Sequence, residues 1–469
     1  MIQILPHEKV DIFSKYKDVL EEVDTLRATG RVEKITGLTI ESHGPDVQYG
    51  ELCRIRLKSG NYLYAEVVGF NKNKIILMPI GDMKGVVPGA DVYAVGSQLF
   101  VPVGEALIGR VIDGLGNPID GKGNLFLKER YPVDNKPLTP LEREIIDSPL
   151  PTGIRAIDGL ITVGKGQRIG IFSGSGVGKS TLISMIARNT AADISVIALI
   201  GERGREANDF VEKELQNEGL KRSVVIISTS DQPPMLRLRA GFLAHSVAEY
   251  FRDKGLHVNL LMDSVTRFAM AQREVGLAAG QPAATRGYPP SVFSLLPQLL
   301  ERAGNKKGAG SITGFYSILV EADDMNEPIA DAVRGILDGH VVLDRKLAHK
   351  NHYPAIDVLG SISRCMNDVI DDEHKSAANT FRKLLAAYRE AEDLIMLGAY
   401  AQGSDPDVDK AIDMKPAMDA FLQQGIYEKD TYENIKNRLS ELMLGTKVKP
   451  AKRQEFVDRT PYFAQRRGR

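Results

Sequence analysis

The chain has 469 residues, of which 43% are hydrophobic and 26% are charged, and its formal net charge at pH 7 is −1. This length exceeds that of one compact domain, so two to four domains are expected. The balanced charge excludes a general electrostatic attraction to nucleic acid or to an anionic membrane. The two cysteines, Cys53 and Cys365, have no metal-ligand spacing and are interpreted as free buried thiols in a reducing compartment.

The first residues predict neither export nor insertion into a membrane. The sequence MIQILPHEKVDIF lacks the basic start and the long apolar core of a secretory signal. No run in the chain approaches the roughly 18 apolar residues that a membrane-spanning helix requires. A cytoplasmic protein, at most peripheral to a membrane, is therefore expected.

Residues 1–27 are predicted to form an amphipathic helix. Apolar side chains recur there at steps of three and four, with charged residues between them. These apolar residues are Phe13, Tyr16, Leu20, Val23 and Leu26. Such a helix either packs on its own domain or docks on a partner protein, and the pattern does not choose between the two.

Residues 28–95 are predicted to form a small antiparallel β-barrel. Apolar and basic side chains alternate from Cys53 to Lys58, and Gly60 with Asn61 provides a turn. Short alternating runs separated by Gly, Asn and Pro are typical of such a barrel. The barrel lacks the interleaved basic and aromatic residues of an oligonucleotide-binding surface, so an architectural role is expected.

The predicted core domain covers residues 96–370. It begins with a connector in which the glycine-rich residues 104–121 are predicted to form a strand and turns that lead into a proline-rich extended stretch. Apolar strand-like runs then alternate with helical patterns. The predicted strands are residues 194–200, 224–227, 258–262 and 312–320, and the predicted helices are residues 207–217, 235–251 and 265–274. This alternation predicts a mostly parallel sheet covered by helices on both faces.

Helical patterns alone follow the core. Residues 371–445 are predicted to form a helical C-terminal domain, with helices marked by Phe381, Leu384 and Ile395, by residues 417–423, and by Ile435 and Leu439. Residues 446–469 are rich in Lys and Arg and are predicted to be a disordered or partner-bound tail.

The clearest chemical signal lies between residues 164 and 188. An apolar strand ending at Phe172 is followed by a glycine-rich turn and an amphipathic segment, which together predict a strand, a phosphate-binding loop and a helix. The predicted nucleotide-binding residues are Gly174, Ser175, Gly176, Val177, Gly178, Lys179, Ser180 and Thr181. Lys179 is expected to reach the β- and γ-phosphates of ATP, and the Ser180 hydroxyl to bind Mg²⁺. Ser173 stands where the usual pattern has glycine, and serine is small enough to be tolerated there.

Two acidic residues complete the predicted site. Asp263 ends an apolar strand and is expected to hold Mg²⁺, directly or through water; the alternative is that it caps the following helix. Glu202 follows the strand at residues 194–200 and is the candidate for polarising the attacking water. The alternative for this stretch is a charged helix start favoured by the helix dipole.

Three longer strings resemble one protein family. GERGREANDFVEKEL from residue 201, LLMDSVTRFAMAQREVG from residue 260 and GYPPSVFSLLPQLLERAG from residue 287 are similar to the hexameric ATPases that include the catalytic β subunit of rotary ATP synthases. Over residues 28–440 the chain most resembles the type III protein-export ATPases, in particular the flagellar one. The implied fold is α/β, with a RecA-like P-loop ATPase core, an N-terminal β-barrel and a C-terminal helical domain.

The resemblance also implies roles for single residues. Glu202 matches the catalytic glutamate of the family and Arg203 the arginine beside it. Tyr353 lies in the segment whose tyrosine stacks on adenine, and Arg364 matches the arginine that reaches into the site of the neighbouring subunit. An arginine that follows two serines would otherwise be interpreted as an ordinary surface residue.

The implied function is ATP hydrolysis at the interfaces of a homohexamer that energises type III export of flagellar proteins. The implied partners are a stator-like regulatory protein on the N-terminal helix, the export gate, a central stalk protein and export chaperones, with the ATPase at the inner membrane and no nucleic acid involved.

A virulence-type secretion ATPase and a rotary β subunit are the alternatives. The segment at residues 398–406 lacks the acidic loop of rotary β subunits. A non-hydrolysing regulatory subunit is disfavoured because Lys179, Glu202 and Arg364 are all present, and a ring helicase because no RNA-contacting loop is recognisable.

Overall fold

The computed structural model describes residues 29–96 and 99–445. The predicted amphipathic helix at residues 1–27 and the predicted basic tail at residues 446–469 lie outside the described residues. The chain divides between residues 97 and 98 into two compact units, which are described separately.

The first unit is a closed antiparallel barrel, as the alternating pattern predicts. Its strands follow the order β1-β2-β5-β4-β3-β6. They are β1 (Thr29–Thr36), β2 (Thr39–His43), β3 (Leu52–Arg56), β4 (Tyr62–Asn71), β5 (Lys74–Pro79) and β6 (Asp91–Ala94). Alternate side chains such as Ile40, Ile55 and Val67 fill the interior and are fully buried.

The second unit is built on a mostly parallel sheet. Its strand order is β17-β16-β10-β15-β13-β11-β12-β8, with β14 paired to β15. The strands are β8 (Arg110–Asp113), β10 (Arg168–Ser173), β11 (Ile194–Ile200), β12 (Ser223–Ser228), β13 (His257–Asp263), β14 (Gly304–Asn305), β15 (Ser311–Leu319), β16 (Gly339–Leu343) and β17 (Ile356–Ser363). Strands β7 (Phe100–Val103) and β9 (Glu129–Pro132) form a separate pair.

The central strands are continuous apolar runs because both faces of the sheet are covered. Every residue of β11 and β13 is buried, as expected for parallel strands between helical layers. The helices around the sheet are α1 (Arg155–Leu160), α2 (Lys179–Asn189), α3 (Gly204–Asp209), α4 (Gln216–Leu220), α5 (Pro234–Asp253), α6 (Val265–Ala278), α7 (Pro290–Leu300), α8 (Pro328–Ile336), α9 (Arg345–His349) and α10 (Met366–Val369). The predicted α/β fold class is confirmed.

Three long helices form the C-terminal region. They are α11 (Asp372–Met396), α12 (Pro406–Leu422) and α13 (Tyr432–Leu444). Buried side chains of these helices, such as Phe381, Phe421 and Leu439, belong to the same hydrophobic cluster as Ile157 and Leu160 of α1. The C-terminal helices are therefore packed directly on the sheet unit.

The structure differs from the sequence prediction in several elements. The strand predicted within the connector is β8, and it belongs to the main sheet, where it pairs with β12 at the edge. The predicted helix at residues 207–217 is three short pieces, α3, a π-helix (Phe210–Leu215) and α4, and Gln216 has a φ of 57° at the last junction. Helix α12 begins at Pro406, where Asp405 caps it, and continues through Pro416.

Candidate functional site

The predicted phosphate-binding loop joins the central strand β10 to helix α2. Gly176 and Gly178 have φ values of 79° and 94°, a region in which a side chain would be strained. Helix α2 begins at Lys179 and buries Leu182 and Ile186 against the core, which fixes its amino terminus at the loop. Strand, loop and helix are thus in the predicted order, and the helix amino terminus faces the loop.

Gly174 lies against the side-chain ends of an ion pair. A Cβ atom at Gly174 would lie 2.4 Å from Asp323 Oδ1 and 2.5 Å from Arg345 Nη2. The Arg345 Nε atom donates to Asp323 Oδ2 at 3.1 Å. This pair therefore lies directly against the first glycine of the loop.

Ser173, the irregular position, is the last residue of β10. It is buried, and its carbonyl accepts a hydrogen bond from Val320 N at 2.9 Å. Within the described residues its Oγ atom has no hydrogen-bond partner. Ser173 is thus a buried residue of the sheet.

Lys179, Asp263 and Glu202 come together beside the loop. Lys179 Nζ donates to Asp263 Oδ1 at 2.5 Å and lies 3.8 Å from Glu202 Oε1. Asp263 is the last residue of β13, and Glu202 follows the end of β11, so both carboxylates lie at the carboxyl edge of the sheet. Parallel α/β sheets bind their ligands at this edge.

The charges within this cluster shift the pKa values of Lys179 and Glu202. Burial opposes the charge of Lys179, but Asp263 and Glu202 outweigh that effect and raise its pKa. Burial and the negative charge of Asp263 together raise the pKa of Glu202 to about 7. A carboxyl group whose pKa lies near neutrality is suited to accepting a proton.

Asp263 does not cap the helix that follows it, which was the alternative to a metal-binding role. Helix α6 is capped by Ser264, whose Oγ accepts from Arg267 N at 3.3 Å. The Asp263 carboxylate instead accepts from Lys179 and from Ser317 Oγ, the latter at 2.6 Å. Asp263 therefore points toward the loop and the sheet.

Arg203 lies at the start of α3 and faces outward. Its side chain is 82% exposed, and Nη1 donates to Glu206 Oε1 at 3.1 Å. Within this chain it does not join the Lys179 cluster through any described hydrogen bond. Its predicted role beside Glu202 stays a prediction.

Tyr353 flanks the loop from the other side. A Cβ atom at Gly178 would lie 3.6 Å from Tyr353 Cε1, and Tyr353 is 41% exposed. An exposed aromatic face beside a phosphate-binding loop is suited to stacking on a nucleotide base. The Tyr353 carbonyl accepts from Gln424 N at 2.9 Å, so the turn after α12 helps to fix this residue.

Arg364 lies at the opposite end of the sheet. Its backbone nitrogen donates to Asp338 O, and Asp338 N donates to Arg168 O at the start of β10. The loop follows the far end of this strand, about 20 Å away for six residues. Arg364 is exposed and cannot reach the loop of its own chain.

Sequence reasoning missed three residues of the site. The positive charge of Arg267 acts to lower the pKa of both Glu202 and Lys179. A Cβ atom at Gly201 would lie 2.7 Å from the Cβ atom of Arg267. Ser317 and Gln424 contact Asp263 and Tyr353 over 54 and 71 residues of sequence. The signal for Arg267 was its position in the first turn after the strand of Asp263, whereas the other two had no local signal.

The residues present fit Mg²⁺ when it arrives with a nucleotide. Within residues 29–96 and 99–445, no three His, Cys, Asp or Glu side chains form a metal cage. Asp263 and the exposed Ser180 offer two hard oxygen ligands beside the loop. Mg²⁺ in nucleotide sites is usually held by one or two protein ligands together with phosphate oxygens and water.

Comparison with protein families matches most of the chain. The ATP synthase alpha/beta family nucleotide-binding domain matches residues 153–363, and the beta-barrel domain of that family matches residues 32–96. The C-terminal domain of the type III secretion ATPase EscN matches residues 370–441.

Individual relatives are similar over most of their length. The flagellum-specific ATP synthase of Bacillus subtilis is 54% identical, covering 88% of this chain and 94% of the relative. The type 3 secretion system ATPase of Xanthomonas euvesicatoria is 49% identical, with coverages of 89% and 94%. The structure of assembled EscN from enteropathogenic E. coli has a TM-score of 0.84 at 45% identity, covering 88% of this chain and 100% of that one. EscN is also known in complex with its central stalk EscO, with a TM-score of 0.82 at 44% identity and the same coverages.

In the part of the chain that the structure describes, no helix is both long enough and apolar enough to cross a membrane.

Proposed function

Because this chain belongs to the ATP synthase alpha/beta family, and within it to the type III protein-export ATPases, we propose that it hydrolyses ATP at the interfaces of a homohexamer to energise export of flagellar proteins. The observation that carries this proposal is the convergence of Lys179, Glu202 and Asp263 beside the phosphate-binding loop. A binding protein without turnover would need the loop and the lysine but not a partly buried carboxylate with a pKa near 7.

The chain's own residues have distinct tasks in this proposal. The loop amides and Lys179 bind the phosphates, so the lysine must turn from Asp263 toward them. Tyr353 stacks on the base, and Glu202 accepts a hydrogen bond from the attacking water and takes its proton. Ser180 and Asp263 would hold Mg²⁺, which would supply positive charge against the negative charge of the phosphates.

A neighbouring subunit supplies what the chain lacks. Arg364 lies at the end of β17, remote from its own loop, and is exposed. In a closed ring of identical subunits, one subunit's loop face can meet the next subunit's Arg364 face. We propose that Arg364 stabilises the transition state in trans and that the exposed Arg203 lies near this interface.

The cellular partners follow from the same family membership. EscN is described as assembled and in complex with a central stalk, which supports a ring with a stalk partner here. We propose further that a stator-like regulatory protein binds residues 1–27, that the export gate and chaperones bind the ring, and that the ring associates with the inner membrane from the cytoplasm.

A virulence-type secretion ATPase is the second candidate. The observation in its favour is the 49% identity to the Xanthomonas secretion ATPase, close to the 54% identity to the Bacillus flagellar protein. The C-terminal match to an export ATPase domain at residues 370–441 disfavours a rotary β subunit.

The flagellar assignment is tested in the organism that encodes the chain. A chromosomal Lys179→Ala substitution is expected to abolish filament assembly and swimming, because the loop loses its only lysine for phosphate. Filaments are counted by electron microscopy, and secreted effectors are assayed in parallel. Normal filaments with a loss of effector secretion would assign the chain to virulence-type export instead.

The raised pKa of Glu202 predicts a pH dependence. Only the carboxylate form accepts a proton from water, so kcat/KM for ATP is expected to rise with pH below about 7 and to level off above it. Glu206 contributes a hydrogen bond that raises this pKa, so Glu206→Gln is expected to shift the rise to lower pH. A profile of kcat/KM from pH 5.5 to 9 at saturating Mg²⁺ measures both, and identical profiles for the two proteins would contradict the assignment.

A further inference from the structure

Strand β15 carries a buried serine hydroxyl, that of Ser317, which the proposed reaction does not use. Strand β15 lies between β10, which leads to the loop, and β13, which ends at Asp263. Met262 of β13 is paired with Tyr316, so Ser317 follows at the level of Asp263. Ser317 is fully buried, and its Oγ donates to Asp263 Oδ1 at 2.6 Å.

Two donors share the same carboxylate oxygen. Asp263 Oδ1 accepts from Lys179 Nζ at 2.5 Å and from Ser317 Oγ at 2.6 Å. Hydrogen bonds to an ionised carboxylate are short and about twice as strong as neutral ones. Both donors therefore contribute to the orientation of Asp263.

Nucleotide binding is expected to move one of the two donors, Lys179, and to leave the other, Ser317, in place. Lys179 has a long flexible side chain, and in the proposed function it turns to the phosphates. Ser317 has one side-chain torsion and sits on a central strand with no room to move. Once Lys179 has turned away, the serine is the described side-chain donor that still holds Asp263.

We propose that Ser317 is a positioning residue, which fixes the Asp263 carboxylate for the magnesium ion after Lys179 has turned to the nucleotide. The inference rests on the proposed function, because it assigns Asp263 to the metal. It predicts that removal of the hydroxyl weakens the metal-dependent part of nucleotide binding and leaves the metal-independent part intact.

The test is calorimetric binding of ADP to the full chain, once with Mg²⁺ and once with EDTA. Ser317→Ala is expected to weaken Mg-ADP binding by about 10- to 100-fold, the usual loss when the hydrogen-bond partner of a metal ligand is removed. Binding of ADP in EDTA is expected to stay unchanged. Ser317→Cys fills the site with a slightly larger group that offers only a weak donor, so it should reproduce the loss if Ser317→Ala fails to fold.

Ser195→Ala is the matched control. Ser195 is a fully buried serine on β11, which pairs with β13 on the side away from β15, and within the described residues its Oγ has no hydrogen-bond partner. Its removal should leave both affinities unchanged. Wild-type Mg-ADP affinity in Ser317→Ala, or an equal loss with and without Mg²⁺, would overturn the positioning role.

Lys179→Ala separates this inference from the proposed function. If Lys179→Ala loses ADP binding in EDTA while Ser317→Ala retains Mg-ADP affinity, only the positioning role is wrong. If Lys179→Ala binds ADP as the wild type does, the nucleotide site itself is wrongly placed.

Discussion

Glu202→Gln is expected to abolish ATP turnover while leaving ATP binding nearly unchanged. The substitution keeps the size of the side chain but removes the oxygen that can take a proton from water, and Glu202 contributes no phosphate contact in the proposed site. Loss of a general base costs about 10²- to 10⁴-fold in rate. Steady-state phosphate release and binding of a fluorescent ATP analogue measure the two effects separately.

A glutamate outside the site controls for the change of charge. Glu212 is an exposed glutamate of the π-helix, and Glu212→Gln removes the same unit of charge without touching the Lys179 cluster. Its turnover is expected to equal that of the wild type. Substantial ATPase activity in Glu202→Gln would remove Glu202 from its assigned role, whereas loss of ATP binding would indicate a structural one.

Arg364→Ala is expected to lower turnover by about 10³- to 10⁵-fold, the range attributed to an arginine that stabilises a phosphoryl-transfer transition state. Nucleotide binding should change little, because Arg364 is remote from the loop of its own chain. Arg334→Ala, on the surface of α8 in an ion pair with Asp331, serves as the control and should retain activity.

Assembly must be followed in the same samples. If the active site is shared between subunits, wild-type activity per chain should rise with protein concentration as rings form. Light scattering shows whether Arg364→Ala forms the same assemblies. Full activity in assembled Arg364→Ala would contradict a role in catalysis.

The sequence predicted those parts of the site that are specified by short stretches of chain. Lys179 follows glycines that curl the backbone, and Asp263 ends an apolar strand, so each could be assigned from its neighbours. Their proximity followed from topology, because parallel strands present their carboxyl ends at one edge. The export ATPase family, which rested on three longer strings, is confirmed by the family and relative comparisons.

Contacts between distant parts of the chain could not be predicted in this way. Ser317 looks like any small residue in a buried strand, and only the register of β15 against β13 brings it to Asp263. Gln424 reaches Tyr353 from the turn after α12. Gly174 was assigned to loop curvature, and only the structure shows that it lies against the side-chain ends of Asp323 and Arg345.

Some errors had local physical causes. The start of α12 was placed too late because Pro416 precedes the predicted start at residue 417 and prolines usually interrupt helices, whereas this helix continues through Pro416. A strand was predicted within the connector, but four residues among glycines carry too little periodicity to assign β8 to the main sheet. Arg364 had no local signal, and its role depends on the family resemblance and on a subunit outside the chain.

The most direct test of a site shared between subunits is ATPase activity in mixed rings of Lys179→Ala and Arg364→Ala chains. Each variant alone should be inactive. Rings assembled from both contain interfaces where an intact loop meets an intact arginine, so mixing is expected to restore part of the activity, with the largest recovery near equal proportions. Mixed rings of confirmed composition that remain as inactive as either variant alone would contradict catalysis in trans.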